Sequence, residues 1–267
     1  MLSQVLAIVK HVAHTEVMPR YLNVAHSRKG DGSLFTEADL ACQNALVAEL
    51  SKLAPYPVLG EEMTDAEQKR LWEAGHEGLW CIDPIDGTSN FVNGIPYFAV
   101  SVALMKAGRS ILGVIYDPVA NELFYAERGR GAFLNGVPLP VMTRSTDLRH
   151  SIAGVELKRI SNNITAQIAL HPPYSSQRNF GSSTLDWCYV AAGRLDVYLH
   201  GGQKLWDYAA GCVILEEAGG HCCTLTHRDF WADEPWQRAV IAALGDNLFR
   251  EWCAWIRQAD LKIAPYS

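Results

Sequence analysis

The stretch Leu79-Trp80-Cys81-Ile82-Asp83-Pro84-Ile85-Asp86-Gly87-Thr88 decides the reading of this chain. Leu79 to Ile82 has the apolar character of a short buried strand, and the run stops at Asp83. Pro84 fixes its own φ and brings no backbone donor. Gly87 permits dihedrals that other residues resist. A tight turn with two carboxylates three residues apart can aim both at one point. Two carboxylates that converge without a cation repel, and one must then take up a proton. A hard cation removes the conflict, and Mg²⁺ prefers oxygen ligands. The Ile85 carbonyl inside the turn is a candidate further ligand. Thr88-Ser89-Asn90-Phe91 reads as a helix start whose N–H groups and positive end suit a phosphate. Alone, Asp-Pro followed by Asp-Gly also describes an ordinary solvated turn.

Other acids fall at similar places. Gly60-Glu61-Glu62 ends the short strand Val58-Leu59, and Trp206-Asp207 opens a helical run. Strand ends and helix starts are where an α/β fold displays functional groups. Asp207 by itself would read as a helix cap and Glu61-Glu62 as loop acids. The combination points to phosphoryl chemistry.

Outward from this centre, residues 2–25 carry apolar groups at helical spacing, with Pro19 bending or ending the helix. His26 to Ser33 reads as a loop. Thr36 with Asp39 three residues on is a helix-start signal for a run to about Leu53. Residues 63–78 are polar and partly helical or mobile. Strand-like runs at 99–104, 110–116 and 122–126 suggest an antiparallel meander, with Asn135-Gly136 as a tight turn. A strand is expected at 151–155, a helix at 182–192 ending at Gly193, and a strand at 195–199. A helix at 206–218 closed by Gly219-Gly220, a strand at 239–244 and a helix at 247–258 complete the pattern. Strands alternating with helices make this an α/β half. The sub-halves are 1–140 and 141–267. No Ser/Gly-rich linker divides them, so they should share an interface.

The 267 residues are 49% hydrophobic and 19% charged, which excludes a mainly disordered chain. The net charge of −6 argues against direct nucleic-acid binding. No apolar run reaches the length of a membrane span, and Met1 to Val9 lacks the features of a signal peptide. Seven cysteines without a CxxC pair read as reduced thiols, which suits the cytoplasm. Eight tryptophans could suggest a carbohydrate platform. Trp80, Trp187 and Trp206 lie in apolar patterns and read as core. Trp252 and Trp255, three apart on the last helix, suit core or dimer packing.

Gly60-Glu61-Glu62, Asp83-Pro84-Ile85-Asp86-Gly87-Thr88 with Asn90-Phe91, Trp206-Asp207-Tyr208-Ala209-Ala210-Gly211 and Glu217-Ala218-Gly219-Gly220 resemble, in order and spacing, the signatures of the inositol monophosphatase family. The resemblance covers nearly the whole chain. It implies a layered αβαβα sandwich (α/β, α+β) and a Mg²⁺-dependent phosphomonoesterase with two to three ions, commonly Li⁺-sensitive and homodimeric. It implies Glu61, Asp83, the Ile85 carbonyl, Asp86 and Asp207 as metal ligands, with Asp83 bridging two ions. Thr88, paired with Asp39, would orient and help deprotonate the attacking water. The Gly87 and Thr88 N–H groups would hold the phosphate, and Asp86, Gly181, Ser182 and Ser183 would contact the substrate.

His200 stands where the family often has a Glu that binds a substrate hydroxyl. An imidazole can donate where a carboxylate only accepts. That weakens the expectation of inositol-1-phosphate against histidinol phosphate, a sugar bisphosphate or 3′-phosphoadenosine 5′-phosphate. Met63 and Ser89 are smaller departures, and Gly201-Gly202 loosens the loop after His200. His171 to Gln177 reads equally as a pocket wall or as an ordinary loop. Lys29 to Ser33, leading to Asp39, also resembles the histidinol-phosphatase branch. Some bacterial relatives in this family act in transcription, so a protein partner in the transcription machinery is the contrasting expectation.

Overall fold

The computed structural model describes residues 1–23, 26–28, 34–142, 147–232 and 234–261, with the backbone alone for 26–28, 34 and 35. The first half contains α1 (Leu2–Val12), β1 (His26–Arg28), β2 (Leu34–Thr36), α2 (Glu37–Leu53), β3 (Val58–Gly60), α3 (Asp65–Ala74), β4 (Leu79–Asp86) and α4 (Thr88–Asn93). It continues with β5 (Ala99–Lys106), β6 (Arg109–Asp117), β7 (Glu122–Glu127), β8 (Ala132–Leu134) and β9 (Val137–Pro138). The second half contains β10 (Ile152–Glu156), α5 (Asn162–Leu170), β11 (Ser176–Arg178), α6 (Ser183–Ala191), β12 (Val197–Gln203), α7 (Leu205–Glu217), β13 (His221–Cys223), β14 (Arg238–Ala243) and α8 (Asp246–Leu261).

Two sheets organise the chain. One has the order β3-β4-β5-β6-β7-β8-β9, parallel at β3–β4 and antiparallel from β4 onward. The other has the order β11-β10-β12-β14-β13, with β10 parallel to both neighbours. Helices α1 and α2 cover one face of the larger sheet, through Val5, Val9, Leu46 and Leu50 packed on Trp80, Val100 and Val114. Helices α6 and α7 fill the space between the sheets, where Trp187, Tyr208 and Ile214 meet Ala103, Phe124 and Tyr198. Helices α5 and α8 cover the far face of the smaller sheet through Ile164, Trp252 and Ile256. The layers run α, β, α, β, α. Both sheets are covered on both sides, which is why β4 and β5 read as nearly unbroken apolar runs.

Some boundaries follow the sequence reading and others differ. The first helix passes through a widened turn, Ala13–Val17, and a tight one, Met18–Arg20, and ends there, as Pro19 led one to expect. Pro19 lies in that last turn and cannot donate to continue the ladder. His26–Arg28 is not loop but pairs antiparallel with Leu34–Thr36, while Lys29–Ser33 lies outside the described residues. Within 63–78 the partly helical expectation holds: α3 covers Asp65–Ala74, capped reciprocally by Thr64 and Glu67. The short strands β8, β9, β11 and β13 and the helix α5 carry too little periodicity to be read in advance.

Candidate active site

β4 does not stop at Asp83 but continues to Asp86. Asp83 pairs with Ser101 and Asp86 with Ala99, so β4 takes three steps where β5 takes two. The additional residue is a bulge at Pro84-Ile85. In a regular strand, residues three apart point to opposite faces. The bulge restores a common face and lets both carboxylates converge. Proline, with no N–H to pair, suits that position. Gly87 follows with φ 92°, and a Cβ there would lie 3.1 Å from the Tyr97 carbonyl and 3.2 Å from the Gly181 carbonyl. That position demands glycine on both counts.

Asp83, Asp86 and Asp207 each bring a carboxylate oxygen within 4.8 Å of the others. Asp207 is not the cap of α7 but its third residue, where Oδ2 accepts from the Lys204 N–H at 2.8 Å. That bond fixes the side chain at the helix start. Asp86 Oδ2 accepts from Ser182 Oγ at 2.5 Å and from the Thr184 N–H and hydroxyl at 2.7 Å each. Asp83 Oδ1 is buried with no hydrogen-bond partner among the described residues.

Burial, then the charges of Glu61, Asp86, Asp207 and Asp39, pushes the Asp83 carboxyl well above the ordinary range. Burial followed by Asp86 and Glu61 does the same to Asp207. Asp86 also rises through burial, against the opposing donors Ser182 and Thr184. A buried acceptor without a donor, among carboxylates that hinder one another's ionisation, is the donor set a hard cation satisfies. Glu61 stands half-buried in the turn after β3. Gln43 accepts from the Glu62 N–H at 3.0 Å, and Gln68 donates to the Gly60 and Glu61 carbonyls at 3.0 and 3.3 Å.

Thr88 Oγ1 donates to the Ile85 carbonyl at 3.0 Å and lies 3.5 Å from Asp39 Oδ1. The other Asp39 oxygen accepts from the Thr36 N–H at 2.8 Å and hydroxyl at 2.6 Å. Asp39 therefore serves the cap of α2 with one oxygen and faces Thr88 with the other.

Beside the acids lies a cavity of about 180 Å³. Its walls include Gly181, Ser182, Ser183, His200, Glu156 and Lys158. Ser182 thus reaches both the cavity and Asp86. His200 Nδ1 accepts from the Gly202 N–H at 3.1 Å, which leaves a neutral ring's proton on Nε2. Burial pushes this imidazole down to about 4, so the ring is neutral at pH 7. Asn90 donates to the Tyr97 and Phe180 carbonyls, both at 2.7 Å, and so joins the α4 turn to the segment that enters the cavity.

Thr184, Gln43 and Gln68 are the residues sequence reasoning missed, and Asn90, read there as part of a helix start, bridges two carbonyls. The polar run Ser182-Ser183-Thr184 at a helix start is the one signal that could have pointed to Thr184.

A five-layered αβαβα fold with acids gathered at a bulged strand end and at a facing helix start defines a class of cation-binding α/β proteins. The chain belongs to the inositol monophosphatase family, whose model matches residues 2–259. It is 39% identical over 210 residues to the inositol-1-monophosphatase of Mesorhizobium japonicum, covering 74% of each chain. It is 38% identical over 199 residues to Nus factor SuhB of Xylella fastidiosa, covering 73% of this chain and 70% of the relative. Among solved structures, the Thermotoga maritima IMPase superposes with a TM-score of 0.83 at 29% identity over 97% of both chains.

Proposed function

We propose that the protein is a Mg²⁺-dependent phosphomonoesterase acting on a small phosphorylated alcohol, with inositol-1-phosphate the first candidate. The observation that carries this reading is the convergence of Asp83, Asp86 and Asp207 within 4.8 Å around a buried, unpaired Asp83 oxygen. Asp83, Asp86, Asp207, Glu61 and the Ile85 carbonyl would hold two to three Mg²⁺. When bound, such ions neutralise phosphoryl charge and acidify water. Thr88 orients the attacking water with its hydroxyl, and Asp39 beside it accepts the proton. The Gly87 and Thr88 N–H groups, at a helix start without intrahelical acceptors, receive phosphate oxygens. Gly181, Ser182, Ser183 and His200 line the space for the alcohol. His200 offers a donor there, which leaves histidinol phosphate, sugar bisphosphates and 3′-phosphoadenosine 5′-phosphate as alternative substrates. Li⁺ inhibition, a homodimer and a cytoplasmic location complete the proposal. No described helix is long and apolar enough to cross a membrane.

The test is phosphate release from these four classes of ester, each with Mg²⁺, with chelator, and with Mg²⁺ plus Li⁺. One ester hydrolysed far faster than the rest, only with Mg²⁺ and less with Li⁺, is expected. Metal-independent turnover, or silence across the panel, overturns the reading.

The SuhB name of a relative as similar as the phosphatase supports a second reading, a protein-binding role in transcription. Asp83→Asn separates the two. A biological role that survives this substitution resides on the surface instead of at the carboxylates.

A further inference from the structure

At the far end of α7 from Asp207, a second donor cluster has no part in the phosphatase chemistry. Cys212 and Glu216 lie one helical turn apart on α7 and share a face. Cys222 of the edge strand β13 comes up against them. The Cys212 and Cys222 sulfurs are 3.6 Å apart, and Cys212 Sγ lies 3.6 Å from Glu216 Oε1. All three donors fall within 4.8 Å of one another.

We propose that Cys212, Cys222 and Glu216 form a binding site for a thiophilic divalent cation, Zn²⁺ above all, with water in the fourth position. Around tetrahedral Zn²⁺, with about 2.3 Å to sulfur and about 2.0 Å to oxygen, the edges are about 3.8 Å between sulfurs and about 3.5 Å between sulfur and oxygen. The two separations from Cys212 match these edges, and the Cys222 and Glu216 donors lie within 4.8 Å of each other, so at most their mutual edge must close up around the ion. Arg128 Nη2 donates to Glu216 Oε2 at 2.6 Å. It therefore holds the oxygen that does not face Cys212, as outer partners of ligating carboxylates do. The next residue, Glu217, accepts from the Gly129 and Gly131 N–H groups at 2.9 Å each. The same loop thus braces this end of the helix twice.

Charge also balances. Two thiolates, a carboxylate, the dication and the Arg128 guanidinium sum to zero. Binding forms two Zn–S bonds and releases one proton from each thiol, so affinity falls as pH falls. Cys212 is buried, whereas Cys222 and Glu216 are partly exposed, so the ion enters from their side. Cys223 points to the opposite face of β13 and meets Cys253 of α8 at 3.6 Å. It is the internal control.

The probe is Co²⁺, titrated into fully reduced protein held in excess Mg²⁺ so that the carboxylate site is masked. The readout is thiolate-to-cobalt charge-transfer absorption. One equivalent is expected to saturate the band. Cys222→Ser should abolish it, Glu216→Gln should weaken binding by about tenfold, and Cys223→Ser should leave it unchanged. In the wild-type chain, equimolar Zn²⁺ should protect Cys212 and Cys222, but not Cys223 or Cys253, from alkylation read by mass spectrometry. That measurement decides the matter even if Cys222→Ser fails to fold. Absence of the band, its survival in Cys222→Ser, or protection of Cys223 and Cys253 instead overturns the proposal.

Discussion

Thr184 gives both its main-chain N–H and its hydroxyl to one oxygen of Asp86, Oδ2, at 2.7 Å each. With Ser182 on the same atom, three donors support the ionised form against burial. They leave Oδ1 for the carboxylate cluster. The relationship also ties the start of α6 to the bulge of β4, across the boundary between the two halves of the chain.

Thr184→Val keeps the shape and the N–H but loses the hydroxyl. A hydrogen bond to a charged group contributes about 1.5–3 kcal/mol, so a lower melting temperature is expected. Asp86 loses part of its orientation, and Mg²⁺ affinity should fall by about tenfold. Thr184→Ser should restore both. Calorimetric Mg²⁺ titration of the two variants checks this. Unchanged affinity in Thr184→Val would show that Ser182 and the backbone suffice.

Asp83→Asn should separate stability from activity. Burial and three or more neighbouring carboxylates raise the Asp83 carboxyl well above its ordinary range. The native state then holds more protons than the unfolded chain, so metal-free stability falls as pH rises above that range. The amide carries no charge to repel. In chelator at pH 8, the variant is expected to melt higher than the wild type by about 3 °C per kcal/mol relieved. It should also lose the Mg²⁺-induced rise in melting temperature and the phosphatase activity. A variant that melts lower than the wild type in chelator would contradict the repulsion argument.

The converging acids were legible because chemistry restricts which residues can follow one another at that turn. Asp83, Pro84, Asp86 and Gly87 each have a separate physical reason to be there. The layer order was legible through the family resemblance more than through periodicity, since β4 is buried on both faces and α7 on nearly all of its surface, which leaves no polar face to mark the period. The bulge was not legible. Reading Asp83 as the strand's end was natural because Pro84 cannot pair, yet pairing resumes at Asp86, beyond the bulge at Pro84-Ile85. The hydrogen bonds of Thr184 and Asn90 were hidden for another reason. They span 98 residues to Asp86 and 90 residues to Phe180, and no local pattern encodes such a meeting. Met63, Ser89 and His171 to Gln177 gained no defined role in the chemistry.

His200 should leave a mark on acid stability. Burial pushes its imidazole down to about 4, below the value of an unfolded chain. Between about pH 4 and about pH 6.5 the unfolded state binds the additional proton, so stability falls as pH falls through this window. A shift of that size corresponds to about 3 kcal/mol. Denaturant midpoints from pH 4 to pH 8 should decline more gently in His200→Gln than in the wild type. His200→Glu should in addition raise the ranking of inositol-1-phosphate among substrates, because an acceptor replaces a donor in the cavity wall. An unchanged ranking would remove His200 from the selectivity argument.

Besides its bond to the Lys204 N–H, Asp207 sits one helical turn before close backbone packing of α7. A Cβ on Gly113 of β6 would lie 2.5 Å from the Ala210 carbonyl, and one on Gly211 of α7 would lie 2.4 Å from Trp187 Cβ. Neither neighbour is the far end of a flexible chain, so α7 is held between β6 and α6 at contact distance. Gly113→Ala must push α7 away from the sheet, at a cost of about 1–3 kcal/mol for an overpacked core. Because Asp207 is in the first turn of that helix, the same displacement should raise the Mg²⁺ concentration for half-maximal activity and lower turnover. Gly136→Ala is the matched control. No atom lies within 4 Å of a Cβ there, but φ is 87°, so alanine is strained in a tight turn without pushing on α7. It should lower the melting temperature with the Mg²⁺ dependence intact. Equal Mg²⁺ dependence in both variants would mean that Asp207 is positioned by its own capping bond to Lys204 and not by how closely the helix packs.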